Sequence, residues 1–114
     1  MQKKRKLLFI CTANLNRSPT AEVVYNHEKG FEARSAGTHP MAIHRVTQEL
    51  LDWADAIFVM SEREDKHLAF LKTNFDIEGK EIYDLDISDI YDAHDPVLVG
   101  LIKERVGKYL KENI

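Results

Sequence analysis

Cysteine is almost missing from this chain: its 114 residues include one, Cys11. A lone thiol closes no internal disulfide and builds no cysteine-based zinc site, so a free thiol in a reducing, cytoplasmic compartment is expected. Long apolar runs are missing as well. The longest, residues 7–10 and 56–60, fall far short of the roughly twenty residues a membrane span needs, and no membrane association is expected. The four basic residues at positions 3–6 precede too short an apolar stretch to read as a secretion signal. Positive charge is not in excess: 16 Lys and Arg face 19 Asp and Glu, a net charge of -3. That excludes a general nucleic-acid binder, which needs a basic surface to displace counterions from phosphates. His27, His39, His67 and His94 show no metal-ligand spacing with carboxylates and read as surface or core residues; no metal and no other cofactor is expected.

What remains is a composition of 44% hydrophobic and 31% charged residues, that of a water-soluble globular chain. The length suits one hydrophobic core, so a single domain over 1–114 is expected. Residues 7–10 and 56–60 are continuous apolar runs of the kind found in parallel strands covered on both faces. Ser18-Pro19 reads as an N-cap followed by proline at the first helical position, with Gly30 ending that helix. A short strand over 31–35 and a helix over 45–54 follow. Ser61-Glu62-Arg63-Glu64 fits a capping box, and Leu68, Leu71 and Phe75 continue it as one helix. Residues 81–85 predict a fourth strand and residues 86–94 a polar loop. Asp95-Pro96 opens a last helix whose Leu98, Leu101, Ile102, Val106 and Tyr109 form its buried face. Alternation of strands and helices predicts an α/β fold of three layers: a four-stranded parallel sheet flanked by helices.

Cys11 ends the first strand and Ser18-Pro19 starts the next helix, which places the residues between them at the carboxyl edge of the sheet, where open α/β sheets bind ligands. Unpaired N–H groups and the dipole at a helix start favour an anion there. The same field, with a nearby arginine, can lower a cysteine's pKa and make it a nucleophile. Arg17, six residues after Cys11, can fold over the loop and contact two phosphate oxygens. Thr12, Ala13, Asn14, Leu15, Asn16, Arg17 and Ser18 are therefore the predicted phosphate-binding loop, held between strand 1 and helix 1. Loop amides and a guanidinium supply the charge neutralisation that phosphoryl transfer needs.

Cys11 to Arg17, then Ser18-Pro19 and Ala21-Glu22, match the pattern Cys-x5-Arg-Ser-Pro-x-Ala-Glu. With Ser35-Ala36-Gly37-Thr38 and Ala54-Asp55-Ala56-Ile57-Phe58-Val59-Met60, the chain resembles the low-molecular-weight protein tyrosine phosphatase family, as a short and divergent member. The resemblance implies hydrolysis of phosphomonoesters, tyrosine phosphate on protein foremost, through a phosphocysteine on Cys11 with Arg17 holding the phosphate. Its partners would be a phosphorylated protein or small phosphomonoester, with inorganic phosphate as product. Asp89-Ile90-Tyr91 resembles the family's Asp-Pro-Tyr motif. Asp89 is thus favoured as general acid over Asp92 and over Asp95, which N-capping of the last helix would equally explain. Tyr91 falls where the family packs an aromatic beside the substrate ring, or is an ordinary half-buried tyrosine. Asn14 and Ser35 resemble a pair that supports the loop, with His44 a candidate third member, against two independent turn residues. Ser18 either meets the Cys11 sulfur, caps the helix, or does both.

The chain also departs from the pattern. Ala13 stands where glycine is frequent, Asn16 where a second loop cysteine is frequent, and His39, Pro40 and Met41 follow the Ser-Ala-Gly-Thr turn without an aromatic. Two other activities fit the loop: a phosphate-binding or phosphocysteine-carrier module without turnover, and an arsenate reductase drawing on external thiols.

Overall fold

Four successive apolar residues, Leu7 to Ile10, fit a strand only where both faces of the sheet are covered. The computed structural model, which describes residues 3–112, meets that condition. The elements run β1 (Arg5–Cys11), α1 (Arg17–Asn26), β2 (Phe31–Gly37), α2 (Gln48–Trp53), β3 (Ala56–Val59), α3 (Glu62–Asp65), α4 (His67–Asn74), β4 (Ile82–Asp84) and α5 (Pro96–Glu112). The sheet has the order β2-β1-β3-β4, and every pairing is parallel.

Alternation along β1 sorts its side chains into two cores. Leu7 and Phe9 face α1 and α5, meeting Ala21, Tyr25, Leu98, Ile102 and Val106. Leu8 and Ile10 face the opposite way, where Leu51 of α2 and Leu71 of α4 cover them. The first face carries a ladder of rings set by strand register: Phe9 lies opposite Phe58, and Phe58 opposite Tyr83. Their centroids are 5.3 and 5.4 Å apart, and Tyr25 and Tyr109 extend the row at 5.6 and 4.6 Å. Each such pair adds about 0.5–1.5 kcal/mol to the burial of its rings. The predicted three-layer α/β fold is the one observed. No helix among the described residues is long and apolar enough to cross a membrane.

Three local expectations need correction. The first helix starts at Arg17 with Asn16 at its N-cap, and it ends at Asn26; Gly30 lies beyond it in the turn, at φ 94°. The helix expected from Ser61 onward is two helices broken at Lys66, which takes a left-handed φ of 54°. The second helix and the fourth strand are shorter than expected, at Gln48–Trp53 and Ile82–Asp84. Because all four strands are parallel, their carboxyl ends share one edge. The segments after β1, β2, β3 and β4 all gather there.

Candidate active site

The loop after Cys11 turns its carbonyls outward. Thr38 donates to the Cys11 carbonyl at 3.0 Å, His39 to Thr12 at 3.0 Å, and Ile43 to Ala13 at 3.2 Å. Among the described residues, no backbone carbonyl accepts from the N–H groups of Ala13, Asn14, Leu15, Asn16, Arg17 or Ser18. The turn is completed by Asn14 at φ 57°, a left-handed conformation that asparagine tolerates better than most residues. The result is a concave run of donors at a helix start, an anion-binding shape.

Asn14 is nine-tenths buried and holds this shape through three bonds. Its Nδ2 donates to Ser18 Oγ at 2.9 Å and to Ser35 Oγ at 3.0 Å, while its Oδ1 accepts from the backbone N–H of His44 at 3.1 Å. A backbone N–H can only donate, so the His44 contact fixes which end of the amide is which. Ser35 Oγ in turn donates a hydrogen bond to Glu22 Oε1 at 2.8 Å. Ser18 Oγ lies 2.9 Å from Cys11 Sγ, against 3.4 Å to the Ala36 carbonyl. Asn14 takes one lone pair of Ser18, and the hydroxyl faces both the sulfur and the Ala36 carbonyl, lying nearer the sulfur. Asn14, Ser18 and Ser35 thus form one network. His44 joins it through its backbone, and Ser18 is turned toward sulfur while Asn16 occupies the cap position.

Gly37 explains the Ser-Ala-Gly-Thr turn by close approach. A Cβ there would lie 2.5 Å from the Thr12 carbonyl oxygen and 2.6 Å from Ala42 Cβ. Only glycine lets the end of β2 pass this near the loop.

Arg17 is 1% exposed, the largest fully buried side chain among the described residues. Its Nη1 donates to Asp65 Oδ2 and to the Ile87 carbonyl, each at 2.9 Å. Its Nε has no hydrogen-bond acceptor; Asp89 Oδ1 stands 3.6 Å away. Cys11, Ala13, Leu15, Asn16, Arg17 and Asp89 line one cavity of about 60 Å³. A larger cleft, about 330 Å³, lies between β4 and α5, away from Cys11.

Of the three aspartates weighed as general acid, only Asp89 lines the cavity. Asp95 accepts from the Val97 N–H at 2.8 Å, the bond of a helix cap, and Asp92 gives its carbonyl to the Asp95 N–H at 3.2 Å. Tyr91 is not brought to the cavity; it packs against the core under α1 and α5. Two residues escaped sequence reasoning. Asp65 grips Arg17, and His67, expected as a bystander, is fully buried with Nε2 3.0 Å from Thr12 Oγ1. Burial holds the His67 pKa down at about 4, against the pull of the nearby Asp65 carboxylate. Neither carries a sequence signal, because both act through a kink at Lys66 that no residue type announces.

Residues 6–53 match the model of the family described as Low molecular weight phosphotyrosine protein phosphatase. The resemblance read in the sequence holds. The match covers β1, the phosphate-type loop, α1, β2 and α2, and it stops before Asp65, His67 and Asp89. No curated protein matches the chain. Solved structures match its fold over nearly its whole length. A low molecular weight protein tyrosine phosphatase from T. tengcongensis is 23% identical, with 97% of this chain and 100% of that one covered at a TM-score of 0.71. The tyrosine phosphatase Wzb from Escherichia coli K30, solved with phosphate, is 20% identical over 96% and 98%, at 0.74. The YwlE arginine phosphatase from Geobacillus stearothermophilus is 21% identical over 96% and 94%, at 0.68. The low-molecular-weight phosphatase fold is therefore the fold of this chain.

Proposed function

We propose that the chain is a cysteine-dependent phosphatase that hydrolyses phosphomonoesters, with tyrosine phosphate as the favoured substrate. One observation carries this reading: Cys11, Arg17 and Asp89 line the same small cavity, at the mouth of a loop whose amides are unpaired. The phosphate oxygens take the N–H groups of Ala13 to Ser18 and the free Nε of Arg17. The Cys11 thiolate attacks phosphorus, the bond to the leaving oxygen breaks, and Asp89 gives that oxygen its proton. A phosphocysteine and an alcohol result. Water then gives a proton to Asp89 and attacks phosphorus, releasing inorganic phosphate. The departing sulfur carries the electron pair away and accepts a hydrogen bond from Ser18, 2.9 Å distant.

Asp89 beside the cavity favours turnover over a carrier that merely stores phosphocysteine. An arsenate reductase would need a thiol from another molecule, since Cys11 has no partner in this chain. Leu15 in the cavity lining and Ile90 beside Asp89 are exposed apolar side chains, and they suit an aryl leaving group. A reducing compartment such as the cytoplasm belongs to the same reading, because the lone thiol has no protective disulfide.

The test is turnover of an aryl phosphate, an alkyl phosphate and phosphoarginine by the wild type, Cys11→Ser and Asp89→Ala. Aryl turnover that is lost in Cys11→Ser while inorganic phosphate still binds is the expected result; unchanged turnover refutes the nucleophile. Asp89→Ala should slow the reaction about 10²–10⁴-fold for aryl esters with poor leaving groups, and less for activated ones. Preference for phosphoarginine would replace tyrosine phosphate as substrate.

A further inference from the structure

Residues 61–67 touch both ends of the loop. Ser61 caps α3, its Oγ accepting from the Glu64 N–H at 3.0 Å. Residues two apart on a continuous helix point to different sides. Asp65 and His67 nonetheless face the same loop, because Lys66 between them sits at φ 54° and turns the chain from α3 into α4. Asp65 Oδ2 and His67 Nε2 end up 3.9 Å apart. Asp65 holds Arg17, near the far end of the loop, and His67 holds Thr12, the first residue after Cys11.

The hydrogen-bond roles at His67 follow from its neighbours. The backbone N–H of Ser61 lies 3.2 Å from Nδ1, and an amide can only donate, so Nδ1 carries the lone pair. The proton is on Nε2, which donates to Thr12 Oγ1 at 3.0 Å. Thr12 is thereby fixed twice: its carbonyl accepts from His39 and its side chain accepts from His67. A β-branched side chain has few χ1 choices, so locking its hydroxyl also locks the backbone that carries it. That backbone leads into the row of free amides.

From this arrangement we propose that His67 is a positioning residue for the phosphate site: it holds Thr12, and through Thr12 the first turn of the anion-binding loop beside Cys11. This rests on the phosphatase reading for its consequence in turnover, but the effect on the loop is independent of it. The variants are His67→Phe, which keeps the ring and removes both nitrogens, and His67→Gln, whose amide places an acceptor and a donor at a similar separation. Thr12→Val removes the other partner and leaves His67 in place. The readouts are the affinity for inorganic phosphate, the rate of Cys11 alkylation by iodoacetamide at pH 7, and kcat and KM on an aryl phosphate.

In folded His67→Phe, phosphate affinity should fall about tenfold and the alkylation rate should change, with His67→Gln recovering to within about threefold of wild type; one neutral hydrogen bond supports an effect of that size. Thr12→Val should reproduce the loss, and the double variant His67→Phe/Thr12→Val should be no worse than either single one. Wild-type phosphate affinity in folded His67→Phe, or additive losses in the double variant, overturns the proposal. Should His67→Phe fail to fold, wild-type phosphate affinity in Thr12→Val overturns it alone. A wild type that binds phosphate with these dependences yet turns over no ester would overturn the phosphatase reading and leave the positioning role standing.

Discussion

At the scale of single residues, the site depends on a few atoms that fit because something else is missing. Gly37 is the sharpest case. An added Cβ would stand 2.5 Å from the Thr12 carbonyl oxygen and 3.1 Å from the Asn14 amide nitrogen, both backbone atoms of the loop itself. Neither can swing aside as a flexible side chain would. Gly37→Ala is therefore expected to cost about 1–3 kcal/mol of stability, the usual range for overpacking, and to push the loop off its anion-binding shape. Urea denaturation and phosphate titration check the two effects separately; wild-type affinity in a destabilised variant would show that the loop yields without losing its shape. The glycine was legible as part of a Ser-Ala-Gly-Thr resemblance, and so were Asn14, Ser18 and Ser35. Asp65 and His67 were not, since an aspartate and a histidine in a charged helical stretch look like solvated side chains until the chain is folded. Tyr91 had two readings in the sequence, a ring beside the substrate or an ordinary half-buried tyrosine, and its packing against the core agrees with the second.

At the scale of elements, the strands were readable because continuous apolar runs admit few alternatives, whereas the break between α3 and α4 was not. Periodicity carries Leu68, Leu71 and Phe75 past Lys66 without interruption, and lysine gives no hint of a left-handed turn. Such a residue costs of order 1 kcal/mol relative to glycine in that conformation. Lys66→Gly should therefore raise stability by about 0.5–1 kcal/mol, a gain of a few degrees in Tm for a chain of this size. A lower Tm would mean that the lysine side chain contributes more than its backbone costs. The segment carrying Asp89 is divided in a similar way. Its stem is fastened: Arg105 donates to the carbonyls of Leu85 and Asp86, Arg63 pairs with Asp86, and Ser88 donates to Glu64 at 3.0 Å. At the far end the His94 N–H meets Thr20 Oγ1 at 2.9 Å. Asp89 thus sits just past an anchored stem, half-exposed, with its carboxylate 3.6 Å from Arg17 Nε.

At the scale of the whole molecule, His67 links the site to stability. It is fully buried, and burial holds its pKa at about 4, whereas the unfolded chain titrates near 6.5. Between these values the unfolded state binds the extra proton and the folded state does not, so stability rises with pH across that window. The contribution is complete above about pH 6.5 and is lost as pH falls toward 4, where protonation would turn Nδ1 into a second donor facing the Ser61 N–H. At 1.36 kcal/mol per unit, the loss amounts to about 3 kcal/mol, a large share of the 5–15 kcal/mol that ordinarily holds a domain together. Unfolding free energies from urea titrations at intervals between pH 7 and pH 4 should show this slope, and His67→Gln, which cannot titrate, should flatten it by about that amount. An equal slope in both proteins would mean that the acid sensitivity arises elsewhere. The same substitution separates two roles of one side chain, because a glutamine that restores the loop's grip on phosphate while removing the pH slope can act only through the hydrogen bonds to Thr12 and Ser61.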